Sequence, residues 1–271
     1  MSYLQHFHHQ ITGPSSGRRW VFLHGLMGYS ANWRRIISEL ESTENILVYD
    51  QRGHGKSMKP ATGYRPEDYA EDLYLITQEL NWQQFILVGH SMGARNALAF
   101  ASRFPEKVQC LVLEDIGPES DPVAGEKYKA LFDMIPTPFP TKRSAKDFFF
   151  NEFPLLAKNY QNPKVLGQYL YSNLEESEQG LADWRFSKAA MLETLREGRV
   201  KDQWQEWKDL QIPTLVLRGE KSPDLSLAVF QEMLASNKNA LGVEIPGAGH
   251  WVHSEAPVEF LRQLKLFTQM T

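Results

Sequence analysis

The chain has 271 residues, of which 42% are hydrophobic, and its 29 Lys and Arg against 33 Asp and Glu give a net charge of −4. This length can bury a substantial core, the dispersed charges argue against a nucleic-acid-binding protein, and the single cysteine, Cys110, excludes an internal disulfide. The first residues do not resemble a signal peptide and no run approaches the roughly twenty apolar residues of a membrane span, so we expect a cytoplasmic protein.

Two strands are predicted at the start of the chain, at residues 4–11 and 19–23, with glycine and proline between them. The first contains His6, His8 and His9. No other cluster of metal-ligating residues accompanies these histidines, so we expect an exposed strand and no metal site.

The second strand ends in the loop His24-Gly25-Leu26-Met27-Gly28. A glycine-bearing loop at the end of a central strand can turn a backbone N–H group towards a neighbouring catalytic turn. We therefore predict that the Leu26 N–H is one oxyanion-hole donor, and that His24 borders the substrate pocket.

The next predicted elements are a helix from about Ser30, a strand at 46–49 and a helix with Pro66 in its first turn. Between the last two lies the segment DQRGHGKS (residues 50–57), whose glycines indicate a tight structural turn. His54 in this segment is not predicted to act as a catalytic base.

The stretch FILVGHSMGARNALAFA, residues 85–101, combines a short apolar run, a glycine-flanked serine and a helix with small residues on one face. Gly89 and Gly93 give the pattern G-x-S-x-G, in which a serine is exposed on a sharp turn between a strand and a helix. We predict that Ser91 is a nucleophile and that the N–H of Met92 is the second oxyanion-hole donor.

A further apolar strand, residues 108–113, leads into Glu114-Asp115. Up to this point strands and helices alternate, which predicts an α/β fold with right-handed crossovers and a mainly parallel sheet flanked by helices. Ligands of such sheets bind at the carboxyl ends of the strands, where Leu26, Ser91 and Asp115 all fall.

The alternation stops between about residues 119 and 210, a stretch rich in aromatic residues and proline. We predict a helical cap over 119–210, with helices near 144–158, 163–176 and 187–208, inserted into a core formed by 1–118 and 211–271. Trp184, Arg185 and Phe186 are the predicted pocket contacts of this cap, and Arg185 pairs either with a substrate carboxylate or with an internal acid.

The sheet is predicted to resume at residues 213–217 and 242–245. The second of these strands ends in Pro246-Gly247-Ala248-Gly249-His250, and a helix with Pro257 in its first turn closes the chain. A serine nucleophile requires a neutral imidazole held by a carboxylate, and His250 is the best candidate, with His253 as the alternative. The adjacent Trp251 is placed in the substrate pocket.

The motifs HGLMG, DQRGHGKS, GHSMG and GAGHWVHSEAP resemble those of the α/β-hydrolase superfamily along essentially the whole chain. The segments LEDIGP, DWRFS and GEKSP resemble the YbfF-type bacterial carboxylesterases more closely. The usual position of the acid, after the strand that ends at Leu217, holds Ser222. Because the acid of YbfF-type esterases follows the preceding strand, the resemblance implies Asp115, and Asp224 is the alternative.

These residues together predict a serine carboxylesterase that hydrolyses small to medium esters through a Ser91 acyl-enzyme, without metal or organic cofactor. The expected partner is a small-molecule ester, and the protein is expected to be a monomer or a dimer. A thioesterase, a carbon–carbon hydrolase, a cofactor-free lyase and a non-catalytic ligand sensor remain alternatives on the same residues. A neutral His250 predicts activity that falls on acidification with an apparent pKa of about 6 to 7.

Overall fold

The computed structural model describes residues 2–160 and 162–270. The strands, in chain order, are β1 (His9–Thr12), β2 (Arg19–Leu23), β3 (Asn45–Tyr49), β4 (Phe85–His90), β5 (Val108–Glu114), β6 (Leu174–Glu176), β7 (Ala182–Trp184), β8 (Thr214–Gly219) and β9 (Ala240–Ile245). Seven of them form one sheet in the order β1-β3-β2-β4-β5-β8-β9, and β6 and β7 form a separate antiparallel pair. Among the strands of the described residues, only β1 runs antiparallel in the large sheet, so the predicted mainly parallel α/β sheet is confirmed.

Helices connect these strands and cover the sheet. They are α1 (Arg34–Ser38), α2 (Pro66–Glu79), α3 (Met92–Arg103), α4 (Ala124–Asp133), α5 (Lys142–Asp147), α6 (Phe153–Leu156), α7 (Pro163–Ser172), α8 (Lys188–Gly198), α9 (Trp204–Asp209), α10 (Leu227–Ser236), α11 (Val252–Glu255) and α12 (Pro257–Met270). Short 3-10 helices cover Leu4–His6, Ser30–Trp33 and Pro105–Lys107, and a π-helical turn covers Phe148–Glu152.

Both faces of the large sheet are buried. In β4, Phe85 and Leu87 pack into the apolar cluster on one face, whereas Ile86 and Val88 pack into the cluster on the other. A strand buried on both faces needs apolar side chains at every position, which explains why the central strands read as continuous hydrophobic runs rather than as alternating ones.

The sheet order brings three strand ends together. Leu23 of β2 pairs in register with Gly89 of β4, and His90 of β4 pairs with Glu114 of β5. The residues that follow these strands therefore meet at one edge of the sheet, where parallel sheets bind their ligands.

The predicted strand at residues 4–11 is wrong in its first half. Residues Leu4–His6 form a 3-10 helix, and β1 is limited to His9–Thr12. The backbone N–H groups of Tyr3 and Leu4 donate to the Glu79 carboxylate at 2.7 and 3.0 Å, so α2 rather than a neighbouring strand binds this part of the backbone.

The helices predicted within residues 119–210 are shorter than expected. The stretch 144–158 divides into α5, the π-helical turn and α6, and the stretch 163–176 ends as a helix at Ser172, because residues 174–176 pair with β7. The stretch 187–208 breaks between α8 and α9, where Arg199 O and Gln203 N bond to the chain that follows β5. The division into a core and a cap over 119–210 stays a prediction, and we call residues 119–210 the inserted segment.

Within the two described ranges, no helix is long and apolar enough to cross a lipid bilayer.

Candidate active site

Ser91 occupies the turn between β4 and α3 in a conformation that few side chains adopt, with φ 53° and ψ −117°. A Cβ atom on Gly89 would lie 2.4 Å from the carbonyl oxygen of Gly93, and one on Gly93 would lie 2.5 Å from that of Leu23. Both flanking positions therefore require glycine. The backbone conformation of Ser91 costs on the order of 1 kcal/mol. The Ser91 N–H donates to Glu114 O at 3.0 Å, and this bond holds the strained turn against β5.

The loop after β2 fixes the peptide group that carries the Leu26 N–H. The carbonyl oxygen of this group, that of Gly25, accepts hydrogen bonds from His24 Nδ1 at 2.8 Å and from Gly28 N at 3.1 Å. His24 Nε2 accepts from Gln51 N at 2.9 Å, so the ring is neutral and its proton is on Nδ1; burial accordingly lowers the pKa of His24. Because C=O and N–H point in opposite directions in a trans peptide, the Leu26 N–H is directed away from His24.

The next peptide group in this loop is held at both ends. Leu26 O accepts a hydrogen bond from the Tyr169 hydroxyl at 2.7 Å, and Met27 N donates to His54 Nε2 at 3.2 Å, although Met27 has a positive φ of 63°. Tyr169 belongs to α7, and its ring also packs on Trp251 at 4.9 Å. No sequence motif indicated that this tyrosine bonds to the loop.

His250 lies beside two carboxylates. Its Nδ1 donates to Asp115 Oδ2 at 2.8 Å and lies 3.4 Å from Asp224 Oδ2. The Asp115 side chain is fully buried and also accepts bonds from Gly219 N, at 2.8 Å, and from Ser222 Oγ. The Asp224 side chain is 38% exposed. Asp115 is therefore the more firmly held of the two candidate acids, and Ser222 supports it.

The two carboxylates decide the charge of His250. Burial lowers the pKa of this imidazole, but the charges of Asp224 and Asp115, together with the Asp115 hydrogen bond, outweigh burial and raise the pKa to about 9. Burial also raises the pKa of the Asp115 carboxyl. The raised pKa of His250 differs from the apparent pKa of about 6 to 7 expected from the sequence, which assumed a less perturbed imidazole. The difference arises because the sequence did not show that both acids lie within 3.4 Å of the ring.

A second set of titratable side chains, His90, Glu114 and His253, lies below His250. Among the described residues these three form a group whose ligand atoms lie within 4.8 Å of one another, as a metal site would require. His253 Nδ1, however, donates to Glu114 at 2.8 Å, and His90 Nε2 donates to His250 O at 2.9 Å. Each of these bonds takes up one ring nitrogen of its histidine, which favours a supporting role for the three side chains beneath the His250 loop.

A cavity of about 720 Å³ lies between this sheet edge and the inserted segment. Ser91, His250, Leu26 and Trp251 line it, as does Asp224. The cavity therefore brings together the predicted nucleophile, the predicted base, one predicted oxyanion donor and one predicted pocket residue. Met92 lines a smaller adjoining pocket, which also reaches Ser91.

Four predicted pocket residues are not among those that line the cavity or the adjoining pocket: His24, Trp184, Arg185 and Phe186. Burial explains the first, since His24 is 1% exposed and lies behind the loop.

The other three face away for reasons of packing and pairing. The rings of Trp184 and Phe186 stack at 4.8 Å in the core of the inserted segment. Arg185 pairs with Glu175 at 3.3 Å and lies over the Tyr29 ring, which favours the internal salt bridge over a substrate contact. The lining instead includes Tyr128, Tyr169 and Arg199, which no sequence motif indicated.

Comparison with known proteins agrees with this fold. The family model described as the alpha/beta hydrolase fold matches residues 21–257. The chain is 29% identical to the 2-(acetamidomethylene)succinate hydrolase of Mesorhizobium japonicum, over 95% of this chain and 90% of that protein. It is 27% identical to Esterase YbfF of Escherichia coli, over 91% of each chain.

A solved structure, that of E-2-(acetamidomethylene)succinate hydrolase, superimposes with a TM-score of 0.83 at 29% identity, covering 97% of this chain and 95% of that one. The resemblance to the α/β-hydrolase superfamily is thereby confirmed. The chain belongs to the alpha/beta hydrolase family, and the class of enzyme that it shares with these relatives is that of hydrolases.

Proposed function

We propose that this protein is a serine carboxylesterase in which Ser91 is the nucleophile. The observation that carries the proposal is that the strained, glycine-flanked Ser91 and the carboxylate-bound His250 line one cavity. A serine hydroxyl is a weak nucleophile at neutral pH, and a positioned imidazole supplies the base that it lacks.

The reaction then follows from the arrangement of these groups. His250 takes the Ser91 proton as Oγ attacks the acyl carbon, and the imidazolium returns that proton to the leaving alcohol. Water, deprotonated by His250, then attacks the acyl-enzyme and releases the carboxylic acid and free Ser91. Asp115 holds Nδ1–H of His250, so that Nε2 is the nitrogen that accepts the proton.

Two backbone groups stabilise the negative charge on the acyl oxygen in this proposal. They are the N–H of Leu26, whose peptide group is fixed through Gly25 O, and the N–H of Met92 at the start of α3. The bonds from His24 and Tyr169 hold the loop before the substrate arrives. Such donors contribute most when they do not have to reorganise during the reaction.

The size of the cavity supports small to medium esters as substrates. A volume of about 720 Å³ lies within the range of small-molecule sites and is far too small for a polymer. Several lining residues, among them Tyr128, Leu166 and Tyr169, belong to the inserted segment, which in this proposal acts as the cap that excludes bulk water.

Labelling with a fluorophosphonate tests the nucleophile. The wild-type protein should bind one equivalent covalently, S91A should bind none, and S120A, which alters another serine of the cavity lining, should label like the wild type. Hydrolysis of p-nitrophenyl butyrate should follow the same pattern. A folded wild-type protein that neither labels nor hydrolyses this ester would contradict the proposal and favour a non-catalytic ligand-binding protein.

A further inference from the structure

A small pocket of about 60 Å³ adjoins the main cavity and also reaches Ser91. It is lined by Leu26 and Met92, whose N–H groups are the proposed oxyanion donors, and by two arginines, Arg95 and Arg199. A group bound here would therefore lie close to the reacting acyl carbon. We call this space the side pocket.

Arg95 is deeply buried, at 3% exposure, on α3 one turn after Ser91. Its guanidinium donates to the carbonyl oxygens of Gly117, Glu119 and Lys201 at 2.9 to 3.1 Å, and its Nε is buried without a hydrogen-bond partner. Over residues 2–160 and 162–270, no carboxylate forms an ion pair with it. A buried cation that meets only carbonyl oxygens carries an uncompensated charge.

Arg199, in the break between α8 and α9, also lines the side pocket. Its carbonyl oxygen accepts from Asp121 N at 2.8 Å, which fixes the backbone of this break. Its Nε is likewise buried without a partner, and it forms no ion pair with the residues that the structure describes. It lines both the main cavity and the side pocket.

The acids around the side pocket do not neutralise these two arginines. Asp121 pairs with Lys127 at 3.2 Å, and Asp224 lies 3.4 Å from His250. Glu119 interacts with Arg199 only at longer range, as Asp202, Glu206 and Glu67 do with Arg95. Burial and then the neighbouring charge of Arg199 lower the pKa of Arg95 to about 9, so the charged form of Arg95 is destabilised where it lies.

We propose that the side pocket binds a carboxylate on the acyl part of the substrate, so that the preferred esters are monoesters of short dicarboxylic acids. This rests on the proposed esterase function. Guanidinium groups bind planar carboxylates through paired hydrogen bonds, and a volume of about 60 Å³ is sufficient for a carboxylate. The position beside Ser91 requires that only a few bonds separate the carboxylate from the ester carbonyl.

The test compares monoethyl succinate with ethyl pentanoate, a neutral ester of similar length, by pH-stat titration. The wild type should show at least tenfold higher kcat/KM for monoethyl succinate. Loss of hydrogen bonds to a charged group costs about ten- to a hundredfold, so R199Q should lose this preference without losing ethyl pentanoate hydrolysis, and R199K should keep part of it. K129Q alters a lysine of α4 that pairs with Asp133 and is not among the residues that line the cavity or the side pocket, so it should leave the preference unchanged.

The outcomes separate the two proposals. If the wild type hydrolyses both esters equally, or if R199Q slows both by the same factor, the carboxylate site is wrong while the esterase stands. If neither ester is hydrolysed and Ser91 is not labelled by fluorophosphonate, the esterase function itself fails. R95Q should behave as R199Q does; should this buried substitution prevent folding, R199Q and R199K decide the question.

Discussion

Substitution of Asp224 by Asn tests how much the charge of Asp224 contributes to the raised pKa of His250. The change removes one negative charge 3.4 Å from Nδ1 and keeps the shape of the side chain. Because Asp224 is 38% exposed, water-like screening applies. Two unit charges at that distance then interact by about 1.2 kcal/mol, or about 0.9 pKa unit. We therefore expect the pKa of His250 to fall from about 9 to roughly 8 in D224N.

The assay is the pH dependence of kcat/KM for ethyl pentanoate between about pH 5 and 10. General-base catalysis requires neutral His250, so activity should rise with pH through the pKa of this group. The wild-type midpoint should lie near 9, and the D224N midpoint should lie about one unit lower, so that D224N is the more active enzyme, relative to its own plateau, at neutral pH.

The matched substitution is D115N, which removes the 2.8 Å bond to Nδ1 and should lower kcat by about a thousandfold to ten-thousandfold. The opposite pattern, near-full turnover in D115N and a loss of several orders of magnitude in D224N, would assign the acid to Asp224. An unchanged midpoint in D224N would refute the argument that its charge raises the pKa of His250.

Three further predictions follow from named contacts. Y169F removes the hydrogen bond to Leu26 O and should lower kcat about tenfold with little change in KM. Steady-state kinetics would show this effect. An unchanged kcat would mean that the loop keeps its conformation without this bond. G93A places a methyl group 2.5 Å from a backbone oxygen and should cost several kcal/mol of unfolding free energy in urea titrations, unless the turn can move apart at little cost. E114Q replaces the charged carboxylate that accepts from His253 by a neutral amide with a single acceptor oxygen and should lower the midpoint of thermal unfolding by several degrees. An unshifted midpoint would argue against a supporting role for this pair.

His250 also links pH to stability. Its pKa in the folded protein, about 9, lies above the ordinary value of 6.5, so protonation favours the folded state. The contribution is fully present below about pH 6.5 and is lost as the pH rises through 9. Thermal unfolding followed by circular dichroism should show a midpoint that declines over this range, and the decline should be smaller in D224N.

The sequence alone determined the alternation of strands and helices, the mainly parallel sheet and the family. These are local properties: strands buried on both faces must be apolar throughout, and the turn at Ser91 tolerates only glycine at positions 89 and 93. It also placed Leu26, Ser91 and Asp115 after strands whose ends meet, because the carboxyl ends of parallel strands lie at the same edge of a sheet. The early end of the helix predicted at residues 163–176 could not be predicted from the sequence, because residues 174–176 pair with another strand and this pairing depends on the tertiary structure.

Only the tertiary structure decided which side chains surround the cavity and what charge they carry. Residues 184–186 have the aromatic and basic character of a pocket, yet the two rings pack into the core of the inserted segment and the arginine pairs with Glu175. Tyr169 and Arg199 reach the site from distant parts of the chain, and no motif marks them. The pKa of His250 likewise depends on distances to two acids that are 26 and 135 residues away in sequence, which the fold alone sets.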